Sequence, residues 1–488
     1  MTRVPSNDKA FPWKALARPL TRDARARVAA QTQALLAWQR RLVRWPRVGS
    51  APDATPFVTL YAGGRLVGCF GSMEGTPGER LARAFVSAAG DGRYDGIAAN
   101  ERDAVAACVS YLRNPICRAL GELERRFELG THGVAAVVPG KTSALLLPSV
   151  AVDEHADLSG LLVILARKMG VDPSELARAS LYMFEAESVV ARQSGPPDAR
   201  SRPPHRGAGS VDAIDSAATW LARQIDSKGR VRFGVDARAR AEHPRGEFLH
   251  GRAAVLVQAL AAHGGHPREV ARARRWLGGE VRAALAGRNI SDWPRERAAV
   301  AGTVALAVMA GVDLADELTK LAATEDVKQN AWHAAQVVAA LGRRAPPTLF
   351  EDCVAHLREQ PWAPWTAIAA DVWGDTGVRD RACDALAASV RTQAPYFGAV
   401  NVTRIPETAL VAVAVEALAR SPTRAARAAA RRATSFLSSV QLLGERIPAS
   451  LDPDRTQGAF PLSLVLDGLR ADVTAHALLA LLAMRPRA

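Results

Sequence analysis

The sequence predicts two domains of different fold class, an α+β domain over residues 1–192 and an all-α array of helical hairpins over residues 211–488. The first region alternates short strand-like runs with amphipathic helical segments, which is the pattern of an α+β fold. In the second region, nearly every apolar stretch has helical spacing. Residues 193–210 are rich in Pro, Gly, Ser and Arg and lack apolar periodicity, so they predict a linker between the two domains.

The predicted elements of the first region follow from local signals. Helical spacing predicts a helix over residues 21–43. Two short strands, 57–61 and 65–70, are joined by Ala62-Gly63-Gly64 as a hairpin turn. Thr76-Pro77 with Glu79 in the first turn predicts a helix start. The remaining elements are strands at 105–112, 134–138, 144–147 and 181–190, and a helix at 157–169 that ends at Gly170.

The second region contains a loose repeat. Each copy has a helix, a turn with a Gly and an aromatic residue, and a second helix rich in Ala and Val. The first copy spans 213–224, 229–233 and 248–263, and the last spans 424–441, 458–460 and 470–484. Ala-rich helices pack closely, as an inner ring requires, which favours an α/α toroid. An open α-solenoid is the structural alternative.

Composition narrows the function classes. The formal net charge is +14, but the basic residues are almost all Arg, and no Lys/Arg block is interleaved with aromatic residues. A solvated Arg-rich surface is therefore favoured over a nucleic-acid interface. No apolar run approaches the ~20 residues that cross a bilayer, and residues 1–19 lack a signal-type apolar stretch. We expect a cytoplasmic protein without a membrane span.

The cysteines indicate neither disulfides nor a metal. All five are scattered without a CxxC pair, which argues against a disulfide framework or a zinc knuckle and fits a reducing compartment. Cys353 and Cys383 lack the neighbours of a zinc site, so no metal site is predicted. The sequence leaves any cofactor unassigned.

Cys69 is the first candidate for chemistry, because Gly68 and Gly71 frame it and allow close approach of backbone or ligand. A nucleophilic thiol needs a lowered pKa, from a nearby base or a helix N-terminus. The helix that begins at Pro77 could supply the N-terminus, and His132, in another glycine-framed loop, could supply the base. The alternative is that Cys69 is a small buried hydrophobic residue.

Six segments in sequence resemble the AMMECR-type family. The run FVTLYAGGRLVGCFGSMEG from Phe57 resembles the family signature of a strand, a short turn and an LRGCIG segment. Further matches follow in the family's order, at Asp91-Gly92-Arg93-Tyr94, at residues 129–133, at 144–150, at 161–170 and at 181–187. The resemblance covers the N-terminal region and implies an α+β fold with a pocket edged by the Cys-bearing segment.

The resemblance also bears on single residues. Gly68, Cys69 and Gly71 occupy the GCIG places, and His132 occupies the place of the family's HG histidine. The family's Arg before Gly-Cys is Val67 here, and Arg65 is a candidate substitute because it shares that face of the strand. Relatives are often encoded beside Memo-type proteins and radical-SAM enzymes, so the resemblance implies partners in such a pathway. It implies no particular reaction.

A second group of candidates lies where the inner helices of the toroid should begin. Asp472 and His476 are four residues apart on one helical face, which suits a carboxylate that orients an imidazole for proton transfer. Alternatively, such residues satisfy helix ends and fill the ring. The predicted ligand-binding residues here are His250, Arg252, Trp293, Arg297, His333, Trp365 and Glu407.

Three functional hypotheses result. The first is a Cys-dependent enzyme acting on a small metabolite or modified peptide, with Cys69 as nucleophile and His132 as base. The second is a toroid that binds or processes a carbohydrate, lipid or polyprenyl group. The third is a non-catalytic adaptor for Memo-type or radical-SAM pathway proteins.

Overall fold

The computed structural model describes residues 11–39, 49–98, 105–138, 142–192, 211–236, 241–242, 249–290, 293–328, 330–359, 363–393, 396–400, 405–443, 447–448, 450–463 and 468–485. Backbone contacts divide the chain into two compact units. The first comprises Met1–Pro204 with Gly444–Pro453, and the second comprises His205–Leu443 with Asp454–Ala488. The predicted linker, residues 193–210, lies outside the described residues.

The first unit combines a sheet with helices, which confirms the predicted α+β class. Its strands are β1 (Pro56–Ala62), β2 (Arg65–Gly71), β3 (Val105–Arg118), β4 (His132–Val137), β5 (Ser143–Leu146) and β6 (Ser180–Arg192). Its helices are α1 (Arg22–Gln39), α2 (Pro77–Ala89), α3 (Leu120–Arg126), α4 (Val150–Asp153) and α5 (Leu158–Met169). The short helices α3 and α4 were not predicted from the sequence.

The sheet brings its two edges together. Its strands follow the order β2-β1-β3-β6-β4-β5, and all neighbours are antiparallel. The strands β2 and β5 are therefore the two edges, yet residues of both line one cavity. The sheet must curl for its edges to face each other across that space. The helix α2 packs on β1 and β2, and α5 packs on β5.

The turn and helix-end signals predicted from the sequence are present in the structure. Gly63 and Gly64 turn the β1–β2 hairpin with φ of 57° and 87°, a conformation that side chains disfavour. Thr76 and Glu79 form a capping box at the start of α2, with Pro77 in the first turn. At the other edge, Gly170 ends α5 in the left-handed conformation. These local stops fix where each helix meets the sheet.

The second unit is helical apart from a small sheet. Its helices are α6 (Val211–Arg223), α7 (Leu249–His263), α8 (Pro267–Leu285), α9 (Arg297–Met309), α10 (Ala315–Ala322), α11 (Glu325–Lys328), α12 (Ala331–Leu341), α13 (Pro347–Glu359), α14 (Pro364–Trp373), α15 (Thr376–Ser389), α16 (Thr408–Leu418), α17 (Arg424–Val440), α18 (Pro453–Thr456) and α19 (Ala471–Ala483). The strands β7 (Gly234–Asp236), β8 (Ala241–Glu242) and β9 (Leu469–Arg470) pair in the order β8-β7-β9. This sheet was not predicted.

Six of these helices form a closed ring. The helix α7 contacts α9, and the sequence of contacts continues through α12, α14 and α16 to α19, which contacts α7. Ring helices such as α9 and α16 are buried on nearly every side, as expected for a helix surrounded by others. The helices α8, α10, α13, α15 and α17 pack against this ring. The closed ring is consistent with the predicted α/α toroid.

Three glycines explain the turns of the sequence repeat. Gly229, Gly398 and Gly458 each precede a ring helix and have φ between 85° and 93°. A Cβ on Gly229 would overlap the backbone of Arg272 in α8, and one on Gly398 would overlap the backbone of Arg432 in α17. A Cβ on Gly458 would overlap the backbone of Ser216 in α6. Each turn therefore packs directly on the backbone of another helix.

Candidate active site around Cys69

Cys69 lies in the wall of a cavity of about 230 Å³. The thiol belongs to β2, and the opposite wall comes from β5 and the residues that follow it. Most of the wall is apolar, and two cationic side chains complete it. The lining residues are Phe57, Cys69, Phe70, Gly71, Arg93, Leu145, Leu146, Leu147, Val150 and Lys168.

Asp91 and Arg93 hold the peptide of Cys69 at the free edge of the sheet. The N–H of Cys69 donates to Asp91 Oδ2 at 3.1 Å, and its carbonyl accepts from the Arg93 guanidinium at 2.8 Å. Arg93 also donates to Asp91 Oδ1 at 2.8 Å and to Oδ2 at 2.6 Å. This ion pair takes the hydrogen-bonding place of a further strand, so it fixes the segment that carries the thiol.

The same ion pair shifts the pKa values of both its partners. The hydrogen bonds from Arg93 lower the pKa of Asp91 to about 2, and those bonds raise the pKa of Arg93. Both groups are therefore charged at neutral pH, and Arg93 presents a permanent cation to the cavity.

The Cys69 thiol is protonated at neutral pH. Burial raises the pKa of Cys69 above its usual value, and this effect exceeds three that oppose it. The opposing effects come from a hydrogen bond to Thr59 Oγ1, at 3.3 Å from Sγ, and from the cations Lys168 and Arg93. A thiol in this state becomes a nucleophile only when a base takes its proton.

Lys168 is the base candidate that the structure places in the cavity wall. It is an exposed residue of α5, but its Nζ turns back to donate to the carbonyl of Leu145 at 3.0 Å. Desolvation of the amine lowers the pKa of Lys168, while the charge of the Cys69 thiolate would raise it. Each of these two groups thus favours the charged form of the other.

Gly68 and Gly71, on either side of Cys69, lack a side chain for different structural reasons. A Cβ on Gly68 would overlap the carbonyl group of Ala88, so Gly68 allows the end of α2 to pack on β2. A Cβ on Gly71 would overlap the ring of Phe57, which lines the cavity opposite it in the β1–β2 pair. Gly68 therefore serves helix packing, and Gly71 makes room for a cavity wall.

His132 does not reach this cavity. It begins β4, where its Nδ1 accepts the backbone N–H of Glu128 at 2.9 Å and its ring lies 5.9 Å from that of Phe127. Burial lowers the pKa of His132 to about 4. Among the contacts of the described residues, none joins His132 to Cys69, so the predicted thiol–imidazole pair is not present in this structure. Arg65, at the start of β2, donates to the carbonyl of Gly96 and does not line the cavity.

Known proteins resemble the first unit. A sequence model of the AMMECR1 family matches residues 14–189. A protein of Methanocella arvoryzae is 33% identical over 150 residues, which cover 29% of this chain and 75% of that protein. The chain belongs to the AMMECR1 family. Residues 14–189 form its AMMECR1 domain, and the resemblance seen in the sequence is confirmed.

Two solved structures are also similar. An uncharacterised protein of Pyrococcus horikoshii has 23% identity and a TM-score of 0.32, over 38% of this chain and 98% of that one. A protein of Salmonella enterica, described as a possible member of the GH105 family, has 13% identity and a TM-score of 0.34. That match covers 58% of this chain and 96% of that one.

Three charged residues of the AMMECR1 site were not predicted as functional from the sequence. Asp91 and Arg93 lie in a segment that carried the family resemblance, but nothing local shows that it borders Cys69. Lys168 lies on the charged face of an amphipathic helix, where lysines are usually solvated. The signal that could have found them was the family's conserved order of segments, read as residues of one pocket.

The predicted residues of the helical unit fall into contacting pairs. His250 is buried, with its ring 5.4 Å from that of Trp293. Arg252 stacks over Phe233 and its Nε lies 3.7 Å from Asp472 Oδ2. Trp365 lies edge-on to His476, with their ring centroids 6.5 Å apart. These contacts bring together parts of α7, α14 and α19.

The proton-transfer prediction required a hydrogen bond between Asp472 and His476. The described structure has no such bond. Arg470 binds the carboxylate of Asp472, with its Nε at 3.0 Å from Oδ1 and a second bond to Oδ2. The Nδ1 of His476 is buried without a hydrogen-bond partner among the described residues, and burial lowers the pKa of His476 to about 4.

The remaining predicted residues of this unit are His333, Arg297 and Glu407. His333 is held by Gln336, with Nδ1 and Oε1 3.1 Å apart, and packs where a Cβ on Gly302 would overlap it. Arg297 is exposed and lies 3.8 Å from Asp326, and Glu407 is exposed at the start of α16.

Neither a metal site nor a membrane-spanning helix is found among the residues with described positions. No group of three or more His, Cys, Asp or Glu side chains there is arranged to hold a metal ion. Within those same residues, no helix has both the length and the apolar character needed to cross a membrane.

Proposed function

We propose that the AMMECR1 domain is a thiol-dependent enzyme in which Cys69 forms a covalent bond to its substrate. The proposal depends on one observation, the placement of this thiol in a cavity that also contains Lys168 and Arg93. A thiol, a proton acceptor and a fixed cation in one cavity are the components of nucleophilic catalysis.

The dimensions and walls of the cavity limit the substrate. Its volume of about 230 Å³ is below the ~300–1,000 Å³ of pockets for drug-sized ligands. A small metabolite or a single modified side chain of a peptide fits that space. Phe57, Leu147 and Val150 suit an apolar body, and the cations suit a carbonyl oxygen at one end.

The reaction class is acyl transfer. The proton of the Cys69 thiol passes to the uncharged Nζ of Lys168 while Sγ attacks the carbonyl carbon, whose π electrons move to its oxygen. Arg93 and the Lys168 ammonium stabilise that oxyanion. The carbonyl then re-forms and expels the leaving group, which takes the proton from Lys168 and leaves a thioester on Cys69. Water or a second substrate cleaves the thioester and restores the thiol.

Lys168 replaces His132 as the proposed base. Desolvation lowers the pKa of the Lys168 amine and so increases the uncharged fraction that can accept a proton. The ammonium that results would lower the pKa of the thiol in turn. His132 is engaged by the backbone N–H of Glu128 and lies outside the cavity wall.

The test measures alkylation of Cys69 by iodoacetamide across pH, with each cysteine quantified by peptide mass spectrometry. In wild-type protein, Cys69 should react through the cavity, whereas Cys353, which is fully buried in α13, should remain unmodified. Lys168→Met should shift the midpoint of the Cys69 profile to higher pH, because it removes a cation that lowers the thiol pKa.

Arg167→Met is the matched control, since Arg167 is the preceding residue of α5 and is exposed outside the cavity wall. It should leave the Cys69 profile at its wild-type position. The proposal fails if Cys69 resists alkylation at every pH, or if Lys168→Met and Arg167→Met give the same profile as wild type.

A further inference from the structure

Three aromatic side chains meet at one end of the helical ring. They are Trp332 of α12, Trp365 of α14 and His476 of α19, and we call them the ring cluster. The ring centroids of Trp332 and Trp365 are 6.3 Å apart, and those of Trp365 and His476 are 6.5 Å apart. Because α16 lies between α14 and α19 in the ring, the contact between Trp365 and His476 crosses the ring interior.

Two members of the ring cluster carry polar atoms that the described residues do not satisfy. Trp365 is only 4% exposed, and its indole N–H has no hydrogen-bond acceptor in that set. The buried Nδ1 of His476 has no partner there either. Buried polar groups are nearly always paired in native proteins, so two orphans in contact require an explanation.

Another buried indole of the same unit has a hydrogen-bond acceptor for its N–H. Trp220 is fully buried, and its Nε1 donates to the carbonyl of Arg455 at 2.7 Å. The helical unit can therefore provide an acceptor where an indole has only a structural role. Because the described residues supply no acceptor at Trp365, a bound ligand is a candidate for that role.

We propose that the ring cluster binds a small neutral molecule rich in hydroxyl groups, such as a sugar or another polyol. A hydroxyl is both a donor and an acceptor, so the hydroxyls of one molecule can accept from the Trp365 indole and donate to the His476 imidazole. The indole of Trp332, 40% exposed, offers a flat apolar surface for the C–H face of the same molecule.

The charges around the cluster favour a neutral ligand. The charged groups that act on His476 are Asp472 and Arg470, which are paired with each other. Their effects on the imidazole oppose one another, and burial keeps the imidazole uncharged. Asp472 also lies 3.7 Å from Arg252 Nε, and a hydroxyl can donate to a nitrogen of the uncharged imidazole.

The binding test uses D-glucose, maltose, myo-inositol and glycerol as probes on the full chain, with D-glucuronate as the anionic comparison. At least one neutral probe should raise the melting temperature and alter the tryptophan fluorescence of wild-type protein. Trp365→Phe, which removes only the N–H and part of the ring, should weaken that binding at least tenfold. Trp220→Phe is the matched control and should retain it.

Three results of this test would overturn the proposal. The first is that no neutral probe binds, and the second is that Trp365→Phe binds as tightly as wild type. The third is that glucuronate binds more tightly than every neutral probe, because that outcome assigns recognition to a cation.

A second measurement needs no ligand. Without probe, Trp365→Phe removes an unsatisfied donor, whereas Trp220→Phe breaks a made hydrogen bond and strands the Arg455 carbonyl. Trp220→Phe should therefore lower the melting temperature more than Trp365→Phe does. An equal or larger loss for Trp365→Phe would mean that its N–H already has a partner, and the proposal would be wrong.

Discussion

Asp91 accepts the backbone N–H of Cys69, while Arg93, paired to the same carboxylate, donates to the Cys69 carbonyl. One ion pair thus holds both polar groups of the peptide that carries the thiol. The two partners act on the thiol in opposite senses, because the Arg93 charge lowers the pKa of Cys69 and the Asp91 charge raises it. The same pair therefore positions the thiol and adjusts its pKa, which burial raises more than any other influence.

Substitution of the two partners should move the Cys69 titration in opposite directions. Arg93→Met removes a cation, so the midpoint of iodoacetamide labelling at Cys69 should shift to higher pH. Asp91→Asn removes an anion and keeps an oxygen that can accept the Cys69 N–H, so its midpoint should shift to lower pH. Peptide mass spectrometry gives both profiles, with Cys117 as an exposed reference thiol. Shifts of equal sign would indicate general loosening and contradict this account.

Gly68→Ala should destabilise the AMMECR1 domain. The added Cβ overlaps the backbone carbonyl of Ala88, which cannot rotate away as a side chain could, so we expect a loss of about 3 kcal/mol or more. Calorimetric melting measures the effect. Gly121→Ala is the control, because a Cβ there in α3 meets nothing, and helix propensity should make it neutral or stabilising. Similar melting temperatures for the two variants would refute the packing role of Gly68.

Alanine substitutions at two turn glycines of the helical unit should lower its stability to different extents. Gly398 and Gly287 both have positive φ, but only Gly398 has a backbone group where a Cβ would lie. Gly287→Ala should cost about 1–2 kcal/mol from φ alone, and Gly398→Ala should cost clearly more. Urea unfolding compares the two. If the losses are equal, the contact with Arg432 does not determine this turn.

The half-buried His132 should make the protein less stable in mild acid. Its folded pKa of about 4 lies below the ordinary 6.5, so below pH 6.5 the unfolded chain binds a proton that the folded chain does not. The stability is complete above pH 6.5 and falls toward pH 4, by at most ~1.4 kcal/mol per pH unit for this group.

His132→Asn should reduce that loss, because asparagine binds no proton in this range and can still accept the N–H of Glu128. Urea unfolding near neutral pH and in mild acid measures the difference. His155→Asn is the control at an exposed position with φ of 49°, which asparagine tolerates. An unchanged pH dependence in His132→Asn would contradict the burial of the imidazole.

Most elements of the AMMECR1 domain, though not the short helices α3 and α4, could be predicted because their signals are local. The capping box at Thr76 and the left-handed Gly170 each act within a few residues, and the structure places helix ends at both. The cavity could not be predicted in the same way, since it forms only when the curled sheet brings β2 to β5. Lys168 joins Cys69 through that curl, and no spacing in the sequence encodes it.

For two predicted pairs, residue spacing and flanking glycines indicated a contact that the structure does not contain. His132 has flanking glycines like Cys69, but its ring nitrogen is taken by the backbone of Glu128. Asp472 and His476 have the right helical spacing, but Arg470 competes for the carboxylate from two residues away. Spacing shows which side chains can meet, whereas the strongest nearby partner decides which of them do.

The contact between α7 and α19 has a consequence for synthesis of the chain. Translation produces α7 well before α19, so the ring cannot close until all of the residues between them, and α19 itself, have left the ribosome. Until then, the apolar flank of α7 that α19 will cover faces water or a chaperone. Stalled or truncated translation products that lack α19 should therefore be the aggregation-prone form of this protein.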